Sequence, residues 1–332
     1  MTAEFTALRQ ARRPQGRPTP DDFRFYEGKT PELEPGQILV ANSYLSVDPY
    51  HREFMDEGGW EKGLGLEGRA LGTVIESREP AFPEGTVVFH RHGWATHAVL
   101  GAEDKPRVVE APAGVPLSTY LSLLGGTGMT AYVGLVRIAR LQPGEDVFVS
   151  GAAGGVGTAV AQIARVLGAR RIVGSAGSAA KVAQLTGVLG FDAAFNYRDG
   201  SPAELLARAA PEGVDVFFDN VGGDHLEAGI AALRHHGRIA WCGAVAQYDD
   251  PANPPAAPRN LYDVVHKALR LEGFLVRDHL DVREEFEAFL TPRIASGEIV
   301  PAETVVDGFE NTVTAFLGML KGENVGKMLV RL

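Results

Sequence analysis

The sequence predicts an α/β fold, a doubly wound parallel sheet combined with a second, β-rich domain. The first observation is a short buried strand, Val147–Val149, followed by a glycine-rich turn and the helical pattern Thr158–Leu167. The second is the apolar strand Arg171–Ser175, which follows at the distance that a βαβ unit requires. The third is a change near Ser118, from short β-type runs to alternating strands and helices.

The first part of the chain has the pattern of a small barrel or distorted sandwich. Short apolar runs such as Gln37–Ala41 and Gly72–Glu76 are separated by proline and glycine, which is typical of successive strands. The tail Asn324–Val330 also has the pattern of a strand, and we expect it to rejoin this domain. The prediction is therefore a β-rich domain of residues 1–118, completed by residues 305–332.

The remaining residues, 119–304, are predicted to form the parallel-sheet domain. Helices alternate there with strands, and the ligand of such a sheet binds at the carboxyl ends of the strands. A Pro-rich segment, Pro251–Pro258, is predicted to be a loop near that edge. After the opening βαβ unit the predicted elements are helices Lys181–Leu189 and Ala203–Ala210 and strands Ala193–Tyr197, Val214–Asp219 and Gly237–Gly243.

The glycine-rich turn Gly151–Gly157 predicts a dinucleotide site. Its glycines let the backbone approach a diphosphate, whose charge the amides and dipole of the helix N-terminus hold. An NAD site usually has Asp or Glu after the second strand, to accept hydrogen bonds from the ribose. Here Gly174–Lys181 contains no acid, and Lys181 supplies a positive charge, although it is also interpretable as a solvated helix lysine. The sequence therefore predicts NADPH.

Net charge, apolar runs and cysteine count limit the classes of protein to which this chain can belong. A formal net charge of −10 argues against nucleic acid as a main partner, because phosphate binding needs a basic face. No apolar run reaches membrane-spanning length, and the first twenty residues lack the apolar core of a signal peptide. Cys242 is the single cysteine, so neither a disulfide framework nor a cysteine zinc cluster is expected. These features predict a cytoplasmic enzyme.

Eight short motifs, in their order along the chain, resemble one family. They are Ser46–Tyr50, Gly128–Tyr132, Gly151–Gly157, Gly190–Asp192, Phe195–Tyr197, Phe218–Gly223, Gly273–Val276 and Asn324–Lys327. With them the chain resembles the zinc-independent branch of the medium-chain dehydrogenase/reductase superfamily. Within that branch it is similar to leukotriene/prostaglandin reductases, plant alkenal double-bond reductases and bacterial curcumin-type reductases. The resemblance implies a Rossmann NADP-binding domain, a GroES-like β-rich domain and a homodimer.

The resemblance also implies which residues bind NADPH. Some would hold the diphosphate, the 2′-phosphate and the ribose, and the others would surround the nicotinamide half. For Tyr197 and Phe274, plain core packing is the alternative interpretation. The implied diphosphate residues are Gly155, Val156, Gly157 and Thr158, those for the 2′-phosphate and ribose are Lys181 and Tyr197, and those around the nicotinamide are Asn220, Cys242, Gly243, Tyr248, Phe274, Leu275, Val276 and Asn324.

No metal site is expected. A catalytic zinc needs about three protein ligands, typically Cys and His. The superfamily's Gly-His-Glu motif appears here as Gly65–Glu67, with Leu66 in place of His, and Gly125–Thr127 offers no ligand where relatives have a cysteine. The histidines His90, His92 and His97 cluster in the sequence but lack a further partner, so we interpret them as structural.

The implied reaction is hydride addition from NADPH to the β carbon of an α,β-unsaturated ketone or aldehyde. Negative charge then builds on the carbonyl oxygen, which needs hydrogen-bond donors. Candidate donors are Tyr50, Tyr248 and His266; core packing is the alternative for Tyr248, and a surface position on a helix from Tyr262 to Arg270 is the alternative for His266. His266 aligns with a tyrosine of many relatives, and His51 replaces a methionine. Other possible functions are a quinone reductase and a non-catalytic NADPH-binding sensor.

Overall fold

The structure is a computed structural model that describes residues 2–248 and 253–332. Its strands are β1 (Glu4–Gln10), β2 (Phe23–Lys29), β3 (Ile38–Ser46), β4 (Glu61–Lys62), β5 (Gly65–Leu66), β6 (Ala70–Ser77), β7 (Val87–His90), β8 (His97–Leu100), β9 (Arg107–Val108), β10 (Asp146–Val149), β11 (Arg171–Ala176), β12 (Ala193–Asn196), β13 (Val214–Asp219), β14 (Leu233–Trp241), β15 (Arg270–Gly273), β16 (Glu303–Asp307) and β17 (Lys327–Arg331).

The α-helices are α1 (His51–Glu57), α2 (Gly126–Val133), α3 (Gly155–Val166), α4 (Ala179–Gly187), α5 (Pro202–Ala209), α6 (Gly223–Ala232), α7 (Tyr262–His266), α8 (Arg283–Ala295) and α9 (Thr312–Leu320). Short helical turns of other types lie at Pro20–Asp22, Ala102–Asp104, Leu117–Leu121, Gly134–Ile138, Tyr197–Asp199, Val245–Gln247, Val276–Val282 and Phe309–Asn311.

The chain divides into two compact units. The first contains residues 1–121, 303–323 and 328–332, and the second contains residues 122–302 and 324–327. We call them the β-rich unit and the parallel-sheet unit. The domain bounds inferred from the sequence remain predictions.

The parallel-sheet unit contains six strands in the order β12-β11-β10-β13-β14-β15. Every neighbouring pair is parallel. The chain leaves β10 in one direction through β11 and β12 and in the other through β13, β14 and β15, so the strand order reverses beside β10. Ligands of doubly wound sheets bind at the carboxyl ends of the strands where this reversal occurs. The predicted fold class is confirmed.

The position of β10 and β13 in the core of this unit explains why their sequences are nearly continuous apolar runs. Both strands are buried on their two faces, as expected for the middle of a parallel sheet. The rings of Phe148 and Phe217 stack with centroids 4.8 Å apart, and Phe195 stacks on the other side of Phe148 at 6.0 Å. This packing fixes the ends of three strands that carry residues of the candidate site.

The β-rich unit contains a seven-stranded sheet in the order β16-β17-β3-β6-β7-β9, with β8 also paired to β3. Strand β17 is antiparallel to β3, with Leu329 opposite Ser46, so the tail does return to the β-rich part of the chain. Trp60, Trp94 and Phe316 are buried together, and centroids of Trp60 and Trp94 lie 4.9 Å apart. This aromatic core surrounds the start of α1.

Two features of the chain differ from the sequence-based expectations. The pair β1–β2 was not predicted, since its strands are joined by a polar, Pro-rich stretch that hides their pairing. The predicted helix from Tyr262 to Arg270 is wrong in length: α7 ends at His266, Ala268 has a φ of +49°, and Arg270 begins β15. Within the predicted loop Pro251–Pro258, residues 251 and 252 lie outside the described residues.

Candidate active site

The turn between β10 and α3 is built for an anion. Gly157 must be glycine, because a Cβ there would lie 2.6 Å from the Cα of Ala152. The amide of Thr158 donates to the carbonyl of Gly154 at 3.0 Å, so the helical hydrogen bonds begin at that residue. The amides of Gly155, Val156 and Gly157 precede this first bond and have no carbonyl within the helix to bind. Backbone amides at this end of α3 and the positive end of the helix dipole suit an anionic ligand.

The end of β11 lies beside this turn, and the segment that follows it contains no acidic residue. Ser178 caps α4, where its Oγ accepts from the amide of Lys181 at 3.3 Å. Ser175 is fully buried, and its Oγ has no hydrogen-bond partner within the described part of the chain. A Cβ on Gly177 would lie 2.8 Å from the hydroxyl of Tyr197, so this glycine lets the tyrosine approach the loop. The structure thus brings Tyr197 to the end of β11.

Arg198 is a site residue that the sequence analysis missed. Burial lowers the pKa of Lys181, and the positive charge of Arg198 lowers it further. The guanidinium of Arg198 also lies over the ring of Tyr197, 6.0 Å from its centroid. Across residues 2–248 and 253–332, neither cation has a carboxylate within 4.0 Å. Two uncompensated positive charges therefore share one loop cluster, an arrangement that favours a bound phosphate group.

The ring of Tyr197 packs against the ring of His225. The edge of one ring meets the face of the other with centroids 5.1 Å apart. His225 is 5% exposed, and this burial lowers the pKa of His225 to about 4. The imidazole is consequently neutral near pH 7 and packs as an apolar support. Tyr197 was open to interpretation as plain core packing, and the structure shows it half-buried, with its hydroxyl at the loop.

The end of β13 fixes Asn220. Asp219 is buried, and one of its oxygens accepts from the Oγ of Ser150 at 2.7 Å and from the amide of Val221 at 2.9 Å. The side-chain amide of Asn220 donates to the carbonyl of Ser150 at 2.7 Å. Its oxygen accepts from the Sγ of Cys242 at 3.0 Å. Two predicted nicotinamide residues, from β13 and from the segment after β14, are thereby in direct contact.

Burial also determines the protonation state of the Cys242 thiol. It raises the pKa of the Cys242 thiol well above its ordinary value, and the negative charge of Asp219 acts in the same direction. The thiol therefore stays protonated and serves as a hydrogen-bond donor to Asn220 rather than as a nucleophile.

Other predicted nicotinamide residues follow β14 and β15, at the same edge of the parallel sheet. A Cβ on Gly243 would be 3.7 Å from the hydroxyl of Tyr248, which places that hydroxyl beside the glycine. The amide of Phe274 donates to the carbonyl of Trp241 at 3.3 Å, and the Phe274 ring meets the Phe218 ring at 6.3 Å. Leu275 is half exposed just beyond β15 and precedes the helical turn that starts at Val276.

The side chain of Asn324 is linked to the glycine-rich turn through Gly326. Its side-chain amide donates to the carbonyl of Gly326 at 2.7 Å. The amide of Gly326 in turn donates to the carbonyl of Ala153 at 2.8 Å, and Gly326 forms a parallel bridge with Gly154. Residues 324–327 are accordingly fixed against the turn that precedes α3.

His266 is not brought to this cluster by any described contact. It lies exposed at the end of α7, and its ring meets the ring of Tyr262 with centroids 4.5 Å apart. The role proposed for His266 remains a prediction.

Tyr50 belongs to a polar cluster in the β-rich unit. Its hydroxyl donates to Glu67 Oε2 at 3.4 Å, and the guanidinium of Arg69 lies 5.2 Å from its ring centroid. Arg69 also pairs with Asp48 at 3.3 Å. Burial raises the pKa of Tyr50 far above its ordinary value, so the hydroxyl keeps its proton at any physiological pH. It is a neutral hydrogen-bond donor with a carboxylate as its present acceptor.

The three histidines considered for metal binding have other partners. His90 Nε2 lies 2.9 Å from the Oδ1 of Asn42, and His92 Nε2 lies 2.7 Å from the Oδ1 of Asp104. The Nδ1 of His97 contacts the Oγ1 of Thr96 at 3.1 Å. Within the described ranges, no group of three or more His, Cys, Asp or Glu side chains is placed to hold a metal ion.

None of the described helices is both long enough and apolar enough to cross a membrane.

Two family models match the chain. One is described as the N-terminal domain of oxidoreductase and covers residues 7–108; the other is described as zinc-binding dehydrogenase and covers residues 155–296. The second description names a metal, whereas the position of the usual histidine ligand is occupied here by the buried side chain of Leu66.

Individual proteins are similar over nearly their whole length. Prostaglandin reductase 1 of Bos taurus is 41% identical, over 95% of this chain and 95% of its own. The 2-alkenal reductase (NADP(+)-dependent) of Nicotiana tabacum is 38% identical, over 91% of this chain and 89% of its own. Among solved structures, CurA from Vibrio vulnificus in complex with NADPH is 31% identical with a TM-score of 0.89, covering 98% of both chains.

Proposed function

The chain belongs to the zinc-independent reductase branch of the medium-chain dehydrogenase/reductase family, and on this basis we propose that it uses NADPH to reduce the carbon–carbon double bond of α,β-unsaturated ketones and aldehydes. The observation that carries the proposal is the pair of uncompensated cations, Lys181 and Arg198, beside a helix N-terminus suited to a diphosphate. The alkenal and prostaglandin reductases among its relatives support the choice of substrate class.

The residues of the parallel-sheet unit fit NADPH. The residues at the start of α3, from Gly155 to Thr158, would line the diphosphate. Lys181 and Arg198 would bind the 2′-phosphate, with Tyr197 and the buried hydroxyl of Ser175 near the ribose. The remaining members of the family's site, which would surround the nicotinamide, are Asn220, Cys242, Gly243, Tyr248, Phe274, Leu275, Val276 and Asn324.

NADPH, when bound, supplies a hydride for the β carbon of the substrate. The substrate's carbonyl oxygen then becomes negatively charged, and a neutral O–H group directed at it lowers the barrier. Tyr50 is suited to this task because its hydroxyl, whose pKa is raised, retains its proton. Proton addition to the α carbon, from solvent, completes the saturated ketone or aldehyde. The remaining candidate donors are Tyr248, whose hydroxyl lies beside Gly243, and the exposed His266.

Product identification tests the proposal. The protein should oxidise NADPH in the presence of benzylideneacetone and release benzylacetone, with the carbonyl group intact. Hydride delivered without a metal at the carbonyl oxygen prefers the β carbon, since the resulting charge spreads onto that oxygen. Crotonaldehyde and menadione are assayed in parallel. An allylic alcohol as the main product would contradict the proposed reaction, and turnover of menadione alone would favour a quinone reductase.

We also propose that the enzyme is a homodimer. Strand β15 lies at the edge of the parallel sheet. The backbone N–H and C=O groups of an edge strand can pair with a strand of another chain. Large apolar side chains are exposed on the segments around β15: Leu261, Tyr262, Val265, Leu275 and Leu280. A second copy of the chain would cover them.

Light scattering of the purified protein should give twice the mass of one chain. Val265→Asp should shift the equilibrium toward the monomer, because it places a charge on a residue that is 71% exposed and apolar. Val188 is 80% exposed and lies between α4 and β12 rather than beside β15. Val188→Asp is therefore the control that should remain dimeric. A wild-type monomer at micromolar concentration would refute the dimer.

A further inference from the structure

The carboxylate of Glu67 is shared by three side chains. Its Oε1 accepts from Arg91, through Nε at 2.6 Å and Nη2 at 2.5 Å. Its Oε2 accepts from the hydroxyl of Tyr50 at 3.4 Å, and the Nε2 of His51 lies 3.9 Å from the same oxygen. The backbone of Glu67 is fixed on Trp60 by two hydrogen bonds, of 2.7 and 2.9 Å. The carboxylate is thus a rigid acceptor that two neighbouring donors approach.

The ring of His51 is held in one orientation. Its side chain is fully buried, and the ring stacks on Trp60 at 5.5 Å and meets the edge of Trp94 at 5.1 Å. Its Nδ1 accepts from the amide of Asp48 at 3.3 Å. In the neutral imidazole the proton therefore resides on Nε2, the atom that faces Glu67. The resemblance stated above puts methionine at this position, so this N–H group is a property of this chain.

Tyr50 has a single hydroxyl proton, and this creates a conflict. That proton is directed at Glu67 Oε2 in the structure, whereas a donor to the substrate must direct it at the carbonyl oxygen. Turning the hydroxyl away removes a donor from a carboxylate that is 8% exposed. Leaving a buried charged acceptor with fewer donors carries a free-energy cost. A second donor close to the same oxygen would offset it.

We propose that His51 is a positioning residue for Tyr50: its Nε2–H closes on Glu67 Oε2 when Tyr50 turns its hydroxyl toward the substrate. The move needed is small, from 3.9 Å to hydrogen-bond distance. His51 itself does not contact the substrate. This inference rests on the proposed function, since it takes Tyr50 as the donor to the carbonyl oxygen.

Two substitutions separate this role from simple packing. His51→Met keeps a large apolar side chain in the aromatic surroundings but removes the N–H group. His51→Gln brings an amide donor into the same surroundings at some cost in packing. We expect kcat for benzylideneacetone to fall about tenfold in the Met variant and only about twofold in the Gln variant, in keeping with the loss of one hydrogen bond to a charged group. If His51 only filled space, the Met variant would be the more active of the two.

Further measurements distinguish a failure of the proposed role of His51 from a failure of the proposed function. Thermal unfolding of both variants shows whether each is folded at the assay temperature. In a Tyr50→Phe background the difference between Met and Gln should vanish, because no hydroxyl remains to be released. A wild-type enzyme without enone reductase activity would overturn the proposed function itself. A wild type that reduces enones, with the Met variant as active as the Gln variant, would overturn the role of His51 alone.

A spectroscopic test does not depend on any variant. Nitrogen NMR of protein with labelled histidine should show His51 protonated on Nε2 in the free enzyme. Addition of NADP⁺ and benzylacetone should move the Nε2–H resonance in the direction of a stronger hydrogen bond. A proton on Nδ1, or an unchanged resonance in the ternary complex, would contradict the proposed movement.

Discussion

Replacing Lys181 and Arg198 together with alanine should raise the KM for NADPH about 100-fold, while the KM for NADH stays within about threefold, because each lost hydrogen bond to a charged group costs about 1.5–3 kcal/mol. Only NADPH carries the 2′-phosphate that the two cations would bind. Lys181→Ala should account for the larger part, since Lys181 is half-buried, whereas water screens the exposed Arg198. Steady-state kinetics with both cofactors measures the effect.

Two further comparisons make this test specific. The Arg208→Ala variant removes an exposed cation of the same unit, whose ion pair with Glu204 is 3.8 Å long, and it should leave both KM values unchanged. The advantage of NADPH over NADH should also shrink as salt is added, because charge attraction to an exposed site is screened. Equal KM values for the two cofactors in the wild type would show that this cluster does not select NADPH.

The cofactor half of the site is predictable from the sequence because its signals are local. A glycine turn between an apolar strand and a helix already defines the site around Gly157, and the missing acid near Lys181 lies within one short segment. Arg198 escaped prediction for the opposite reason. It follows β12, and only the parallel pairing of β11 with β12 brings its charge to Lys181.

The hydrogen-bond donors, by contrast, depend on contacts between residues that are distant in the sequence. Tyr50 and Glu67 are separated by sixteen intervening residues, and their contact depends on the fold of the β-rich unit. His266 was proposed from an aligned motif, and the alternative interpretation placed it on the surface of a helix from Tyr262 to Arg270. In the structure this helix ends at His266, and Ala268 has a left-handed backbone. Motifs identify residue types, whereas the acceptor of a hydroxyl depends on tertiary contacts.

The catalytic donor is tested by removing one hydroxyl group. Tyr50→Phe should lower kcat for benzylideneacetone about 100-fold, the size of effect seen when one donor to a developing oxyanion is lost. The KM for NADPH should not change, because none of the cofactor-binding residues proposed above is altered. Phenylalanine keeps the ring that packs against Phe54 at 5.2 Å and His51 at 4.4 Å, so the fold should be retained. Tyr26→Phe, at an exposed tyrosine of the β-rich unit, is the matched control.

Isotope and pH effects then show whether the loss lies in the chemical step. With NADPH deuterated at the transferred position, the isotope effect on kcat should be larger in Tyr50→Phe, since hydride transfer becomes more fully rate-limiting. Burial raises the pKa of Tyr50 well above its ordinary value, so the wild type should show no loss of rate from tyrosine ionisation as pH rises toward 10. A Tyr50→Phe enzyme with wild-type kcat would transfer the donor role to Tyr248 or His266. In that case Tyr248→Phe or His266→Ala should show the loss, which for His266 is expected to be between about ten- and 100-fold, with an unchanged affinity for NADPH.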